Sequence, residues 1–134
     1  MKIRWLVAGA AALAGCSAAV ATQDRQSRSE RELAEALAGR TAGPPTDCIS
    51  VNDAEGPQVI DGRTLLYRRT GRVLWRNDLE SECPSLRPFS TIVIEVHGSQ
   101  VCRRDLFRTI ESGSPIPGAY CQLGKFTPFT KPKR

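Results

Sequence analysis

Thr64-Leu65-Leu66-Tyr67-Arg68-Arg69-Thr70-Gly71-Arg72-Val73-Leu74-Trp75-Arg76-Asn77 is the stretch on which the fold turns. Two runs rich in Leu, Tyr, Val and Trp flank Thr70-Gly71, which predicts a β-hairpin closed by a two-residue turn. That register sets Leu66 opposite Trp75 and Arg68 opposite Val73, and it gathers Leu65, Tyr67, Leu74 and Arg76 on the other face. The hairpin is then apolar at its base and basic at its tip. Downstream, Ser90-Thr91-Ile92-Val93-Ile94-Glu95-Val96 places Ile92, Ile94 and Val96 on one face and Thr91, Val93 and Glu95 on the other, as a half-buried strand does. His97-Gly98-Ser99 supplies the turn after it.

Further short strands are expected over residues 48–52, 58–60, 106–110 and 120–126, separated by Gly and Pro turns, with no internal repeat. Strands this short and close predict an all-β domain over residues 48–134, a small antiparallel barrel or sandwich. A chain of 134 residues, 40% hydrophobic and 25% charged, has room for one such core. That core is small enough for covalent staples to matter.

Upstream, residues 16–47 hold few large apolar side chains and read as a tether. Within it, Ser29-Glu30-Arg31-Glu32 has the capping-box pattern ahead of Leu33, Ala34 and Leu37, and Gly39 is placed to end one short helix. Gly43-Pro44-Pro45 breaks the chain before the β domain. The first residues, Met1-Lys2-Ile3-Arg4 and the apolar run from Trp5 to Ala14, have the form of a secretory leader over residues 1–15, too short to span a bilayer.

Leu13-Ala14-Gly15-Cys16 resembles the lipobox of bacterial lipoproteins, in which the cysteine thiol receives a diacylglycerol and the chain is cut just before it. The resemblance implies a palmitate-type anchor on Cys16 and a place in the cell envelope. Because Ser17, not Asp, follows the cysteine, it also implies the outer membrane, facing the periplasm. The competing reading is cleavage after Ala19-Val20-Ala21, giving a soluble periplasmic or secreted protein. Cysteine arithmetic favours the anchor: taking Cys16 from five cysteines leaves Cys48, Cys83, Cys102 and Cys121, an even set for disulfides. Four cysteines allow three pairings. Closure of a small sheet by its first and last strands favours Cys48 with Cys121 and Cys83 with Cys102.

Asp47-Cys48-Ile49, Asp61-Gly62-Arg63-Thr64-Leu65-Leu66-Tyr67, Trp75-Arg76-Asn77-Asp78-Leu79, Cys83-Pro84-Ser85-Leu86, Val101-Cys102-Arg103-Arg104-Asp105 and Cys121-Gln122-Leu123-Gly124-Lys125-Phe126 occur in this order. Together, over about residues 47–130, they resemble a family of short exported bacterial proteins known only as a domain of unknown function. The resemblance implies a compact cysteine-containing β domain and carries no activity, catalytic residue or ligand.

Chemistry-bearing residues are sparse. His97 is the single histidine, with no Cys-x-x-Cys beside it, so neither a metal nor a cofactor is expected. There is no Gly-x-Ser-x-Gly elbow, and Gly124-Lys125 lacks phosphate-loop spacing. The four domain cysteines lie at least 19 residues apart, unlike a redox dithiol. Asp53, Glu55, Asp61, Glu95 and Asp105 are numerous enough for a carboxylate pair, which keeps a small envelope hydrolase acting on glycan or peptide as the alternative. Lys and Arg outnumber Asp and Glu 19 to 14 but are spread along the chain, so nucleic acid is not an expected partner. Arg68, Arg69, Arg72 and Arg76 around the hairpin tip form the candidate contact for an anionic envelope component. The expectation is therefore a non-enzymatic binding or structural role at a membrane.

Overall fold

The computed structural model describes residues 16–54, 56–68 and 72–133, with side chains from residue 21 onward. The expected leader, Glu55, the hairpin-tip residues Arg69, Thr70 and Gly71, and Arg134 lie outside the described residues.

Among the described residues one α-helix, α1 (Cys16–Leu37), precedes ten short strands: β1 (Thr41–Ala42), β2 (Cys48–Ser50), β3 (Gln58–Val59), β4 (Thr64–Arg68), β5 (Val73–Asp78), β6 (Thr91–Ile94), β7 (Gln100–Cys102), β8 (Leu106–Ile110), β9 (Cys121–Gln122) and β10 (Lys125–Thr130). They form antiparallel sheets in the orders β1-β10-β5-β4-β3, β2-β7 and β6-β8-β9. The five-stranded sheet packs one face on the two smaller sheets and the other on α1. The expected mostly antiparallel β fold is observed, as a sandwich with a helical outer layer and no closed barrel.

The hairpin forms, one residue out of the expected register. Tyr67 opposes Trp75, Leu66 opposes Arg76 and Arg68 opposes Leu74. A one-residue slip exchanges faces. Leu65, Tyr67 and Trp75, with Phe126 of β10, turn to the inner core beside Ile49, Val101, Phe107 and Leu123. Leu66 and Leu74 turn instead to the helix, joining Ile60, Phe129, Leu33, Ala36 and Leu37. The expected grouping of Leu65, Tyr67, Leu74 and Arg76 is thus corrected. The expected register followed from a two-residue turn at Thr70-Gly71, whereas β4 is buried from Thr64 to Tyr67 on both faces. With two apolar faces, alternation cannot select the register.

Helix α1 begins well before the expected Ser29 because nothing between Gly15 and Gly39 breaks it, and Ala, Gln and Arg are good formers. Ser29 is not its cap. Its Oγ donates to the Arg25 carbonyl (3.2 Å) and to the Ile60 carbonyl (3.1 Å), the latter tying the helix to the sheet. From there Leu33, Ala36 and Leu37 recur with helical period on the buried side. Gly39, at φ 67°, ends the helix as expected. The chain then runs along β10: Ala42 opposes Phe129, Gly43 N–H donates to the Pro128 carbonyl (2.8 Å), and Thr46 exchanges both backbone bonds with Phe126. The stretch expected as a tether therefore supplies a packed helix half and an edge strand. Pro128 fits inside the sheet because its carbonyl, and hence the side of its missing N–H, faces β1 and not β5.

All four domain cysteines are bonded, but as Cys48–Cys102 and Cys83–Cys121. The expected pairing of Cys48 with Cys121 and Cys83 with Cys102 is overturned. First and last strands do pair, yet the first strand is β1 and not β2. Cys48 instead sits directly opposite Cys102 on β7, a strand that sequence periodicity did not reveal. In the chain-entropy model each loop closure restricts the unfolded state by about 4 kcal/mol.

Residues expected as one strand over 120–126 split at Leu123-Gly124. Asn77, fully buried, explains the break: its Nδ2 donates to the Gly124 carbonyl (2.8 Å) and its Oδ1 accepts from the Gly124 N–H (2.9 Å). A β-carbon at residue 124 would run into the Asp78 carbonyl, so only glycine fits. Asn77→Ala strips both partners from buried backbone groups, and we expect it to destabilise the fold by about 3 kcal/mol. Urea unfolding with an unchanged slope is the measurement, and a loss below about 1 kcal/mol would show the clasp to be dispensable.

Candidate functional site

The helix gives the molecule a direction. Ser29 meets Ile60 at the base of the β4–β5 hairpin, and Arg40, just past the helix, meets Arg72 at the tip. The N-terminal half of α1 therefore extends past the hairpin base, away from the tip.

At the tip, Arg40 Nη1 donates to the carbonyls of Arg72 (2.7 Å) and Phe129 (3.4 Å). Lys131 N–H donates to the same Arg72 carbonyl (3.1 Å), and Lys133 follows two residues later. Arg68 is exposed, its Nε donating to Gln58 Oε1 (3.2 Å), while Gln58 Nε2 in turn donates to Glu32 on the helix. Arg40, Arg68, Arg72, Lys131 and Lys133 thus come from three separate segments to one end. None has an ion pair among the described residues.

Of the four expected patch residues, Arg68 and Arg72 belong to this end, and Arg69 lies outside the described residues. Arg76 does not belong. Its Nη2 pairs with Asp78 at 2.7 Å, and it lines a different feature toward the hairpin base. Sequence reading missed Arg40, Lys131 and Lys133. Their one signal was charge flanking β1 and β10, which becomes informative only once those strands are known to border the hairpin.

The feature at the base is an open groove of about 1330 Å³ between helix residues 22–32 and the segments 57–64 and 79–90. Arg25, Arg28, Arg63, Arg76 and Arg87 line it, and so do Glu30, Glu32, Asp61, Asp78 and Glu82. This balance gives it no preference for one sign of charge. Phe89 stands at its rim.

The remaining candidates are placed as follows. Cys16 is the first residue of α1. His97 is exposed and precedes Gly98, at φ 88°, as a turn residue. Asp61 Oδ1 accepts from Arg63 N–H (2.8 Å) and Asp105 Oδ2 from Cys102 N–H (2.7 Å), so both organise their own turns. Asp53 lies in a short 3-10 turn and Glu95 is exposed beyond β6. Lys125 begins β10, 3.9 Å from Asp47. Among the described residues no three His, Cys, Asp or Glu side chains gather as a metal site would need.

Among the described residues, two groups are shifted from their ordinary pKa. Arg103 hydrogen-bonds Glu80 and adds its charge, which lowers the Glu80 pKa, and burial raises that of Tyr67, whose hydroxyl has no partner in the core. Glu80 is held ionised and Tyr67 neutral, so neither is poised for proton transfer near neutral pH.

The model of a family of unknown function, DUF6491, matches residues 1–132. No curated protein and no solved structure matches the chain.

Arg40 is the knot of the cationic end. Arg40→Ala releases two carbonyls from charge-assisted bonds, and we expect a loss of roughly 1–2 kcal/mol together with faster hydrogen exchange at the Lys131 amide. Unchanged exchange there would show that the end holds its shape without Arg40.

Proposed function

The chain belongs to a family of unknown function, and on that premise we propose that it is a lipid-anchored envelope protein with a non-enzymatic binding role, its cationic end meeting an anionic envelope component. The observation that carries this reading is the convergence of Arg40, Arg68, Arg72, Lys131 and Lys133 from three segments. Cations placed together in this way raise the local concentration of polyanions and offer bidentate guanidinium contacts to carboxylate or phosphate.

The anchor reading rests on the Leu13-Ala14-Gly15-Cys16 lipobox and the even cysteine count. Its geometry is coherent with the binding reading. An anchor at the start of α1 holds the membrane on the side away from the hairpin tip, so the cationic end faces outward. A helix of 22 residues, about 33 Å long, orients the domain more firmly than a flexible linker would. The hydrolase alternative loses ground because Asp61 and Asp105 are committed to turns.

Two outcomes are expected. Intact mass of the native protein shows acylation that Cys16→Ser abolishes, releasing the protein from membranes. A native chain beginning at Thr22 without acyl mass would refute the anchor. Charge reversal at Arg68, Arg72 and Lys131 weakens co-sedimentation with isolated peptidoglycan sacculi and with phosphatidylglycerol vesicles, most strongly at low salt, because exposed charges are screened over about 8 Å at physiological ionic strength. Equal binding by wild type and the reversed variant on both materials would refute the cationic contact.

A further inference from the structure

The large exposed apolar side chains among the described residues are Phe89, Val93, Val96, Leu106, Ile116 and Tyr120. All six lie on the β6-β8-β9 sheet or the loops beside its strands. The two most exposed, Phe89 at 96% and Ile116 at 76%, sit at the same end of that sheet. Thr91 opposes Ile110, and Arg87 approaches Glu111 at 3.9 Å, so the turn before β6 neighbours the loop after β8.

Both tips are held in place. Ser90 N–H donates to the Arg87 carbonyl (3.0 Å), closing a turn in which Phe89 occupies the position that favours glycine, at φ 71°. An aromatic residue there is backbone-strained and gains no burial within the chain. Arg108 stacks on Tyr120 at 4.7 Å and donates to the carbonyls of Pro117 (3.3 Å) and Gly118 (2.9 Å), which braces the loop carrying Ile116. Two apolar side chains are thus presented rigidly to solvent, a costly arrangement unless something apolar receives them.

The fold indicates what does. Phe89 and Thr22 border the same groove. From Thr22 the helix continues toward Cys16, six residues or about 9 Å further. Arg25 and Arg28 follow within two turns on the domain side of Thr22, line the groove, and carry no ion pair among the described residues. We infer that the Phe89 and Ile116 tips seat in the interfacial layer of the same bilayer that receives the anchor on Cys16, giving the domain a second, non-covalent foothold. This inference rests on the anchored reading above. A second foothold also restricts rotation about the anchor, which keeps the cationic end pointed away from the membrane.

The test uses the native mature chain in a Trp75→Phe background, so that the introduced tryptophan is the single reporter, and vesicles of phosphatidylethanolamine and phosphatidylglycerol carrying brominated acyl chains. Phe89→Trp and Ile116→Trp are expected to be quenched several-fold more than Val96→Trp, which lies at the opposite end of β6. Phe89→Asn separates structure from contact. Asn tolerates the left-handed conformation, so the melting temperature should rise while quenching of a tryptophan at position 116 falls. Bound protein with equal quenching at positions 89 and 96 overturns the seating and leaves the anchor standing. Preferential quenching at position 89 in a protein whose native form bears no acyl group supports the seating while refuting the anchor. Absence of vesicle binding overturns both.

Discussion

Burial of β4 on both faces is the constraint from which the rest of the architecture follows. A strand carrying Leu65 and Tyr67 on one side and Leu66 on the other cannot expose either without leaving large apolar area in water. The smaller sheets cover one face and α1 the other, which makes the helix an obligatory layer. Asn77 and Gly124 then fix where β9 stops and β10 begins beside β5. The sheet edges, β1 and β3, are each two residues long, too short to invite pairing with other chains.

Much of this was legible from residue pattern, and the errors share a cause. Strands β4, β5 and β8 were found within a residue because turn residues bracket clear apolar runs, whereas β6 stops at Ile94 and leaves Val96, expected on its buried face, exposed. Reading failed where tertiary context alone decides. The register of β4 against β5 depends on which face the helix takes, the disulfide partners depend on a three-residue strand with no periodicity, and the Thr41-Ala42 strand exists only because β10 lies beside it. Alternation identifies a strand but not its neighbours. The cationic end was half legible: Arg68 and Arg72 stood out, whereas Arg40 and Lys131 are remote in sequence and meet only through the carbonyl of Arg72.

The molecule is polar in the geometric sense. Cations collect where the helix ends, and exposed apolar tips and the mixed-charge groove collect where it begins. Each end is braced by arginine donating to backbone carbonyls, Arg40 at one and Arg108 at the other, so the difference between ends is built into rigid elements and does not depend on loop sampling. Arg76 illustrates how strictly these territories are kept: on β5, four residues after Arg72, it pairs with Asp78 and lines the groove.

The two disulfides interleave along the chain, since Cys83 falls between Cys48 and Cys102, and Cys102 between Cys83 and Cys121. A chain that emerges from its N-terminus presents Cys48 and Cys83 together before either native partner exists, so hasty oxidation joins the wrong two. Correct bonding requires that thiols stay reduced until most of the domain has emerged, or that a mistaken bond be reshuffled by thiol exchange. The interleaving thus makes oxidative folding sensitive to order, because each native bond closes across a segment that carries one end of the other.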